Sequence, residues 1–314
     1  QRLSKAGEAF SSASGFSNVR CSSPFLSAFL NIALDLFFIA VLRLGIPGAA
    51  YATVISQGFS GVLCFFYMRA KFEILRLKKE DKIVSTRRML ALFGIGVPMG
   101  LQYSITAIGS VILQWSVNML GSVYVAAMVT AQKISIFFST PFDALGTTMA
   151  TYAGQNVGAK KIERLNSGLF WGCAVGFFYS FLALIILYFF NDNLSALFIS
   201  KNEPPEVVAE VSKNVFYALM ANGCTCCLLV LVNAVRFMIQ GMGFSVFAIL
   251  AGVMEMIARA LMGLYLVPRF GFVSACFASP LAWVFADIFL VPAFYWCLHR
   301  LHKVKKAPNA TTAK

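Results

Sequence analysis

The sequence predicts an all-α, polytopic membrane protein with eight transmembrane helices, and three observations carry that prediction. Of its 314 residues, 59% are hydrophobic and only 12% charged, with a mean hydropathy of +0.76, whereas a soluble domain is about 45–50% apolar. Apolar stretches of bilayer length, about 20 residues each, fall at 24–42, 46–68, 91–119, 123–152, 168–190, 211–232, 245–267 and 272–298. Lys and Arg crowd the connections on one side, as they do on the cytoplasmic face of membrane proteins.

Taken in chain order, the first two stretches are joined by "RLGIPGAAYA" at 43–52 and followed by the basic, hydrophilic run "RAKFEILRLKKEDKIVSTRR" at 69–88. That run divides the chain. Residues 1–68 read as the end of an N-terminal lobe with two transmembrane helices, 69–88 as a cytoplasmic linker, 89–300 as a six-helix C-terminal lobe and 301–314 as a cytoplasmic tail. Within the second lobe, the charges of "QNVGAKKIERLN" at 155–166 predict a brief amphipathic surface helix, and "NEPPE" places the outer loop at 191–210. With both termini cytoplasmic, the inside segments hold 20 of the 26 Lys and Arg, Arg236 among them. Arg43, Lys201, Lys213 and Arg269 fall outside, and Lys133 and Arg259 fall within spans. The net charge of +13 is therefore the orientation signal of a multi-pass cell-membrane protein, and no nucleic-acid partner is expected.

The hinge at 43–52 returns as "RFGFVSACFA" at 269–278, with Arg, Gly and two Ala in register. The second copy joins the last two of six spans, so the first copy should close an equivalent six-span unit. Four further spans are then expected ahead of Gln1, in a parallel 6+6 repeat of the kind that places a pathway between two halves.

Several segments resemble the multidrug and toxic compound extrusion (MATE) family: "NIALDLFFI" and "GAAYATVISQ", then "GIGVPMGLQ", "VAAMVTAQK" and "TPFDALGTTMATYAGQNVGAKKIER". The most specific part, residues 146–164, resembles the cytoplasmic end of that family's eighth helix. The resemblance implies that the eight stretches correspond to helices 5–12 of a 6+6 two-lobe transporter. It further implies secondary active export of cationic or amphipathic organic compounds in exchange for H+ or Na+, by alternating access of two lobes. No cofactor is expected beyond that coupling ion. The expected partners are the lipid bilayer and a small organic substrate, with the complete protein monomeric.

Ionisable groups at membrane depth cost about 2.5–3.5 kcal/mol each on insertion scales, so each needs a reason. Asp35 lies mid-span with Asn31 one turn before it on the same face, a carboxylate and an amide aimed together into the bundle. This is either an ion-coupling pair or an interhelical tie. The resemblance favours coupling, because the family builds a proton site in this lobe around a first-helix aspartate with a fifth-helix aspartate close by. Glu255 and Arg259, four apart, form either a static neutralising pair or a salt bridge that opens during transport. Lys133 has no acid at helical spacing, so Asp143 and Asp287 are its candidate partners. Gln102, Gln114, Asn118, Gln132, Lys133, Phe137, Asp143 and Asp287 are the candidates for lining a substrate cavity, against the alternative that they tie helices together. Pro141 is a candidate hinge. Sodium-coupled family members carry acids on the seventh and tenth helices. The corresponding stretches 91–119 and 211–232 hold none, which favours H+.

Enzyme chemistry is unequipped: the sequence has no HExxH, GxSxG or P-loop motif, and both His residues, His299 and His302, fall at the cytoplasmic end. The eight Cys lack the spacing of a zinc site and read as small buried hydrophobes and not as metal ligands. Two readings compete with drug export: a lipid-linked oligosaccharide flippase of the same superfamily, and an inactive truncated remnant or assembly partner.

Overall fold

The structure is a computed structural model that describes residues 27–71, 86–198 and 204–306. Residues 72–85 of the linker, 199–203 of the outer loop, the tail beyond Lys306 and Cys21 lie outside the described residues. The chain forms two compact units, Gln1–Thr86 and Arg87–Lys314, and the described residues are helices and the turns between them.

In the first unit, α1 (Ser27–Val41) closes on a π-turn at Phe37–Val41 and α2 (Ile46–Lys71) follows across the hinge. The Ser27 hydroxyl donates to the carbonyl of Ser56 at 3.1 Å, tying the start of α1 to the middle of α2. The third residue of the hinge motif, Gly45, has φ +61°, a conformation that side chains with a Cβ resist.

The second unit runs α3 (Thr86–Asn118), α4 (Ser122–Gly158), α5 (Arg164–Phe198), α6 (Pro205–Cys224), α7 (Cys226–Gly241), α8 (Val246–Phe270) and α9 (Ala278–Lys306). Among the described residues, five helices are long and apolar enough to cross a membrane, and the pair α6 and α7, bent by 50° at Thr225, makes a sixth. The described residues of the expected stretches are mostly helical, and α1 as described is shorter than a straight crossing.

Two connections differ from expectation. The segment 155–166 is not a separate helix: α4 continues to Gly158 and ends at a left-handed Lys160, φ +59°. There Lys161 N donates to Asn156 O and Lys160 N to Val157 O, the paired bonds that close a helix C-terminus. The outer loop is also shorter than 191–210, because α5 runs on to Phe198 and α6 starts at Pro205. Proline suits the first turn of a helix, where its missing N–H costs nothing. At the second copy of the hinge, Gly271 has φ +70°, so the corresponding glycine of both copies takes the same left-handed turn.

Packing follows the rule of membrane bundles, with small residues inside and large ones outside. The inner face of α5 is Cys173, Gly176, Ser180, Ala183 and Leu187, while Phe170, Phe178, Phe181 and Phe189 are exposed on it. A soluble helix would invert that order. Two apolar cores result, one around Met149, Leu165, Met238, Ala251 and Leu290, the other around Val117, Ile134, Val215, Leu219 and Phe272. The expectation that the Cys are buried holds for Cys173, Cys276 and Cys297; Cys224 and Cys227 are exposed, at the bend where α6 gives way to α7.

Candidate functional site

The second unit sets a cluster of charged and amide side chains into its apolar interior. Arg236 on α7, Glu255 and Arg259 on α8, and Asp287 on α9 are each no more than 8% exposed. The Arg236 guanidinium donates to Glu255 Oε1, and Arg259 Nη1 lies 3.4 Å from Glu255 Oε2. One carboxylate thus carries both guanidinium groups. Separating buried charges of this kind costs several kcal/mol, about 3–5 where one partner is removed, which fixes α7 against α8.

The cluster corrects one reading of the sequence. Arg236 is not a cytoplasmic loop residue: α7 extends past 232 to Gly241, and Arg236 is buried within it. Its partner lies 19 residues away on α8, so Glu255 has two cations where helical spacing suggested one.

Amides extend the network. Gln240 Nε2 donates to Gln102 Oε1 at 2.7 Å, joining α7 to α3, and Asn233 Nδ2 donates to Asp143 Oδ1 at 3.4 Å, joining α7 to α4. Glycines bring the helices close enough for these contacts. The position of a Cβ at Gly109 on α3 lies 3.0 Å from Met256 Cα of α8, and one at Gly252 lies 3.3 Å from Gln102 Cγ.

The predicted site residues divide by environment. Gln102 and Asp287, expected along a cavity, are buried between helices. Gln114 donates to Asn118 Oδ1 one turn on, at 3.0 Å. Gln132, Lys133, Phe137 and Asp143 are exposed in the second unit. Lys133 lines a groove of about 330 Å³ with Thr130 of α4 and Val207, Val208 and Val211 of α6. Neither Asp143 nor Asp287 forms an ion pair with it among the described residues.

Pro141 leaves the Phe137 carbonyl without its helical donor, and side chains bond to the carbonyls on either side of it. Ser139 and Thr140 both donate to Ile136 O, at 3.1 and 3.0 Å, and the Tyr179 hydroxyl of α5 donates to Phe138 O at 3.2 Å.

In the first unit, Asn31 and Asp35 meet as the helical spacing predicts. With the Asn31 amide nitrogen turned toward Asp35, it donates to Asp35 Oδ2 at 3.3 Å while its oxygen accepts from Thr53 N of α2 at 3.3 Å. The other carboxylate oxygen, Asp35 Oδ1, is buried without a hydrogen-bond partner among the described residues. A groove of about 390 Å³ runs beside Asn31, lined by Ser27, Ala28, Asn31, Thr53, Ser56, Gln57 and Ser60.

Comparison with known proteins gives concordant matches. The MatE family model matches residues 98–256. The probable multidrug resistance protein YpnP of Bacillus subtilis (strain 168) is 29% identical over 184 residues, 57% of this chain and 39% of YpnP. The probable multidrug resistance protein YoeA of the same strain is 23% identical over 192 residues, 58% of this chain and 42% of YoeA. Among solved structures, the Vibrio cholerae MATE transporter VcmN in its bent form has a similar fold, with a TM-score of 0.78 at 20% identity, covering 91% of this chain and 63% of that one. The matched regions span about two fifths of the length of these curated relatives.

Proposed function

The chain belongs to the MatE family, and on that premise we propose that it works in a secondary active antiporter of the cell membrane. The antiporter exports cationic or amphipathic organic compounds in exchange for H+, by alternating access of two lobes, with both termini of this chain cytoplasmic. Its curated relatives are probable multidrug resistance proteins, which supports efflux of this substrate class.

The observation that carries the coupling is the Asn31–Asp35 pair. A half-buried carboxylate has one oxygen without a partner and lies beside a groove lined by hydroxyl and amide side chains, where one acid can serve two cations in turn. A proton and an organic cation each neutralise it, and neither binds well once the other has. Competition of that kind is what exchange requires, since two ligands that compete for one site are linked negatively and reciprocally. A tenfold proton gradient then supplies about 1.4 kcal/mol per proton, enough to concentrate a singly exchanged substrate about tenfold.

The test is counterflow into vesicles. The protein is reconstituted into liposomes with an acidic interior and an alkaline exterior, and uptake of a fluorescent organic cation is followed. The expected result is accumulation that a protonophore collapses and that Asp35→Asn abolishes. Accumulation driven by an outward Na+ gradient at equal pH would reassign the coupling ion. Uptake indifferent to both gradients would overturn the proposal.

A further inference from the structure

Asp287 stands apart from the other charges of the second unit. It is 8% exposed, and neither of its carboxylate oxygens has a hydrogen-bond partner among the described residues. Its own turn of α9 is apolar, with Trp283, Ala286 and Leu290 all in the core. The groups facing it are Arg236 from α7 and Glu255 from α8, both near enough to act on it electrostatically, with Arg259 behind Glu255 and the Cys173 thiol from α5.

The cluster contains two arginines and two acids, so each acid could have its own cation. The arrangement is different: both guanidinium groups are turned to Glu255. A donor is nevertheless to spare, since Arg236 Nε is buried without an acceptor. Opposite charges attract more strongly in a protein interior than in water, so an ionised Asp287 beside a guanidinium with a free N–H would capture it. A neutral carboxyl would not. The observed geometry is the one a protonated Asp287 produces.

We infer that Asp287 is a proton-binding site of the C-terminal bundle, with both arginines gathered on Glu255 when the proton is bound. Loss of that proton to water transfers Arg236 from Glu255 on α8 to Asp287 on α9, and Arg259, one turn along α8, remains to neutralise Glu255. The cluster carries a net charge of +1 with the proton bound and zero without it. With the proton bound the cluster holds an excess positive charge and an acid without hydrogen bonds; without it each acid has its own arginine, so it is the proton that keeps both arginines on Glu255. A proton suits the site better than a metal cation, because it needs one lone pair, and the described residues contain no group of three His, Cys, Asp or Glu able to hold a metal ion. The inference concerns the second unit alone and does not depend on Asp35 or on which compound is carried.

Trp283, one turn before Asp287 on the same face and buried, is a built-in reporter. In the chain with Trp115, Trp171 and Trp296 replaced by Phe, reconstituted in uncharged lipid vesicles, Trp283 emission should follow a one-proton transition as the pH is varied. The transition should be missing in Asp287→Asn. Infrared difference spectra of the wild-type chain across the same range should show the C=O stretch of a protonated carboxyl at low pH. Asp287→Asn should delete that band and Asp287→Glu should displace it. If Asp287→Asn fails to fold, the Asp287→Glu spectrum decides alone: a displaced band supports the site. A band unmoved by Asp287→Glu, or a Trp283 transition that survives Asp287→Asn, overturns it.

Discussion

Gly241, the last residue of α7, lies against the backbone of Ala150 on α4 so closely that a Cβ on it would sit 2.9 Å from Ala150 Cα. Backbone cannot swing aside as a side chain does. Gly241→Ala must therefore push α4 and α7 apart, straining the Asn233–Asp143 bond between the same two helices. Overpacking of this kind costs about 1–3 kcal/mol, expected as a lowered thermal unfolding midpoint in detergent. Gly154→Ala is the control, because a Cβ there meets Gly241 O at an ordinary 3.5 Å. Equal stability of both variants with the wild type would show that the two helices are free to adjust.

Glu255 and Arg236 are not equivalent losses. Removing Arg236 leaves Glu255 with Arg259 at 3.4 Å, still a neutral pair. Removing the Glu255 charge leaves two buried guanidinium groups facing one another. Glu255→Gln is thus expected to be the more destabilising, toward the upper end of the roughly 3–5 kcal/mol range for a broken buried pair, and Arg236→Gln the milder. Chemical denaturation of the two variants in the same detergent checks the order, and the reverse order would mean that Arg236, not Glu255, anchors the cluster.

Much of the helix layout was legible because span length and hydropathy are local properties. The hinge glycines were also legible, since Gly45 and Gly271 recur in a motif whose backbone demand only glycine meets easily. The charged cluster was only half legible. The i,i+4 spacing exposes Glu255 and Arg259, but Arg236 and Gln240 find their partners at sequence separations of 19 and 138, which no local periodicity encodes. One sign was present: Arg236 is flanked by "AV" and "FMI", apolar on both sides, which is unlike a loop cation. The segment 155–166 misled for the opposite reason. Its charges do suit a surface helix, but the hydrogen bonds at Lys160 end one helix and turn directly into the next.

The groove beside Lys133 adds a prediction about selectivity. Lys133 is its charged lining residue, among valines and Thr130, so a cation entering the groove meets repulsion of about 1 kcal/mol or more at 4 Å, depending on how wet the groove is. Lys133→Gln is expected to tighten binding of a cationic dye severalfold and to leave a neutral analogue unchanged. Equilibrium binding of the dye pair to the purified protein separates the outcomes, and equal effects on both dyes would place the cation's path elsewhere.

The turn around Pro141 is supported from outside its own helix. Tyr179 of α5 donates to Phe138 O, and its ring meets Phe142 edge-on with centroids 5.1 Å apart. The hydroxyl is useful because proline, lacking an N–H, loosens the hydrogen bonding of the preceding turn. Tyr179→Phe keeps the ring contact and removes only that bond, an expected loss of about 0.5–1.5 kcal/mol. Pro141→Ala gives Phe137 O its helical donor and removes the ring that holds the turn open, so that Phe142 N can close on Phe138 O, and Tyr179→Phe should cost measurably less in that background. A double-mutant cycle in unfolding free energy reads this coupling directly. Additive losses would mean that Tyr179 merely packs on Phe142; a coupling of about 0.5 kcal/mol or more would establish that the proline turn depends on a neighbouring helix for its hydrogen bonding.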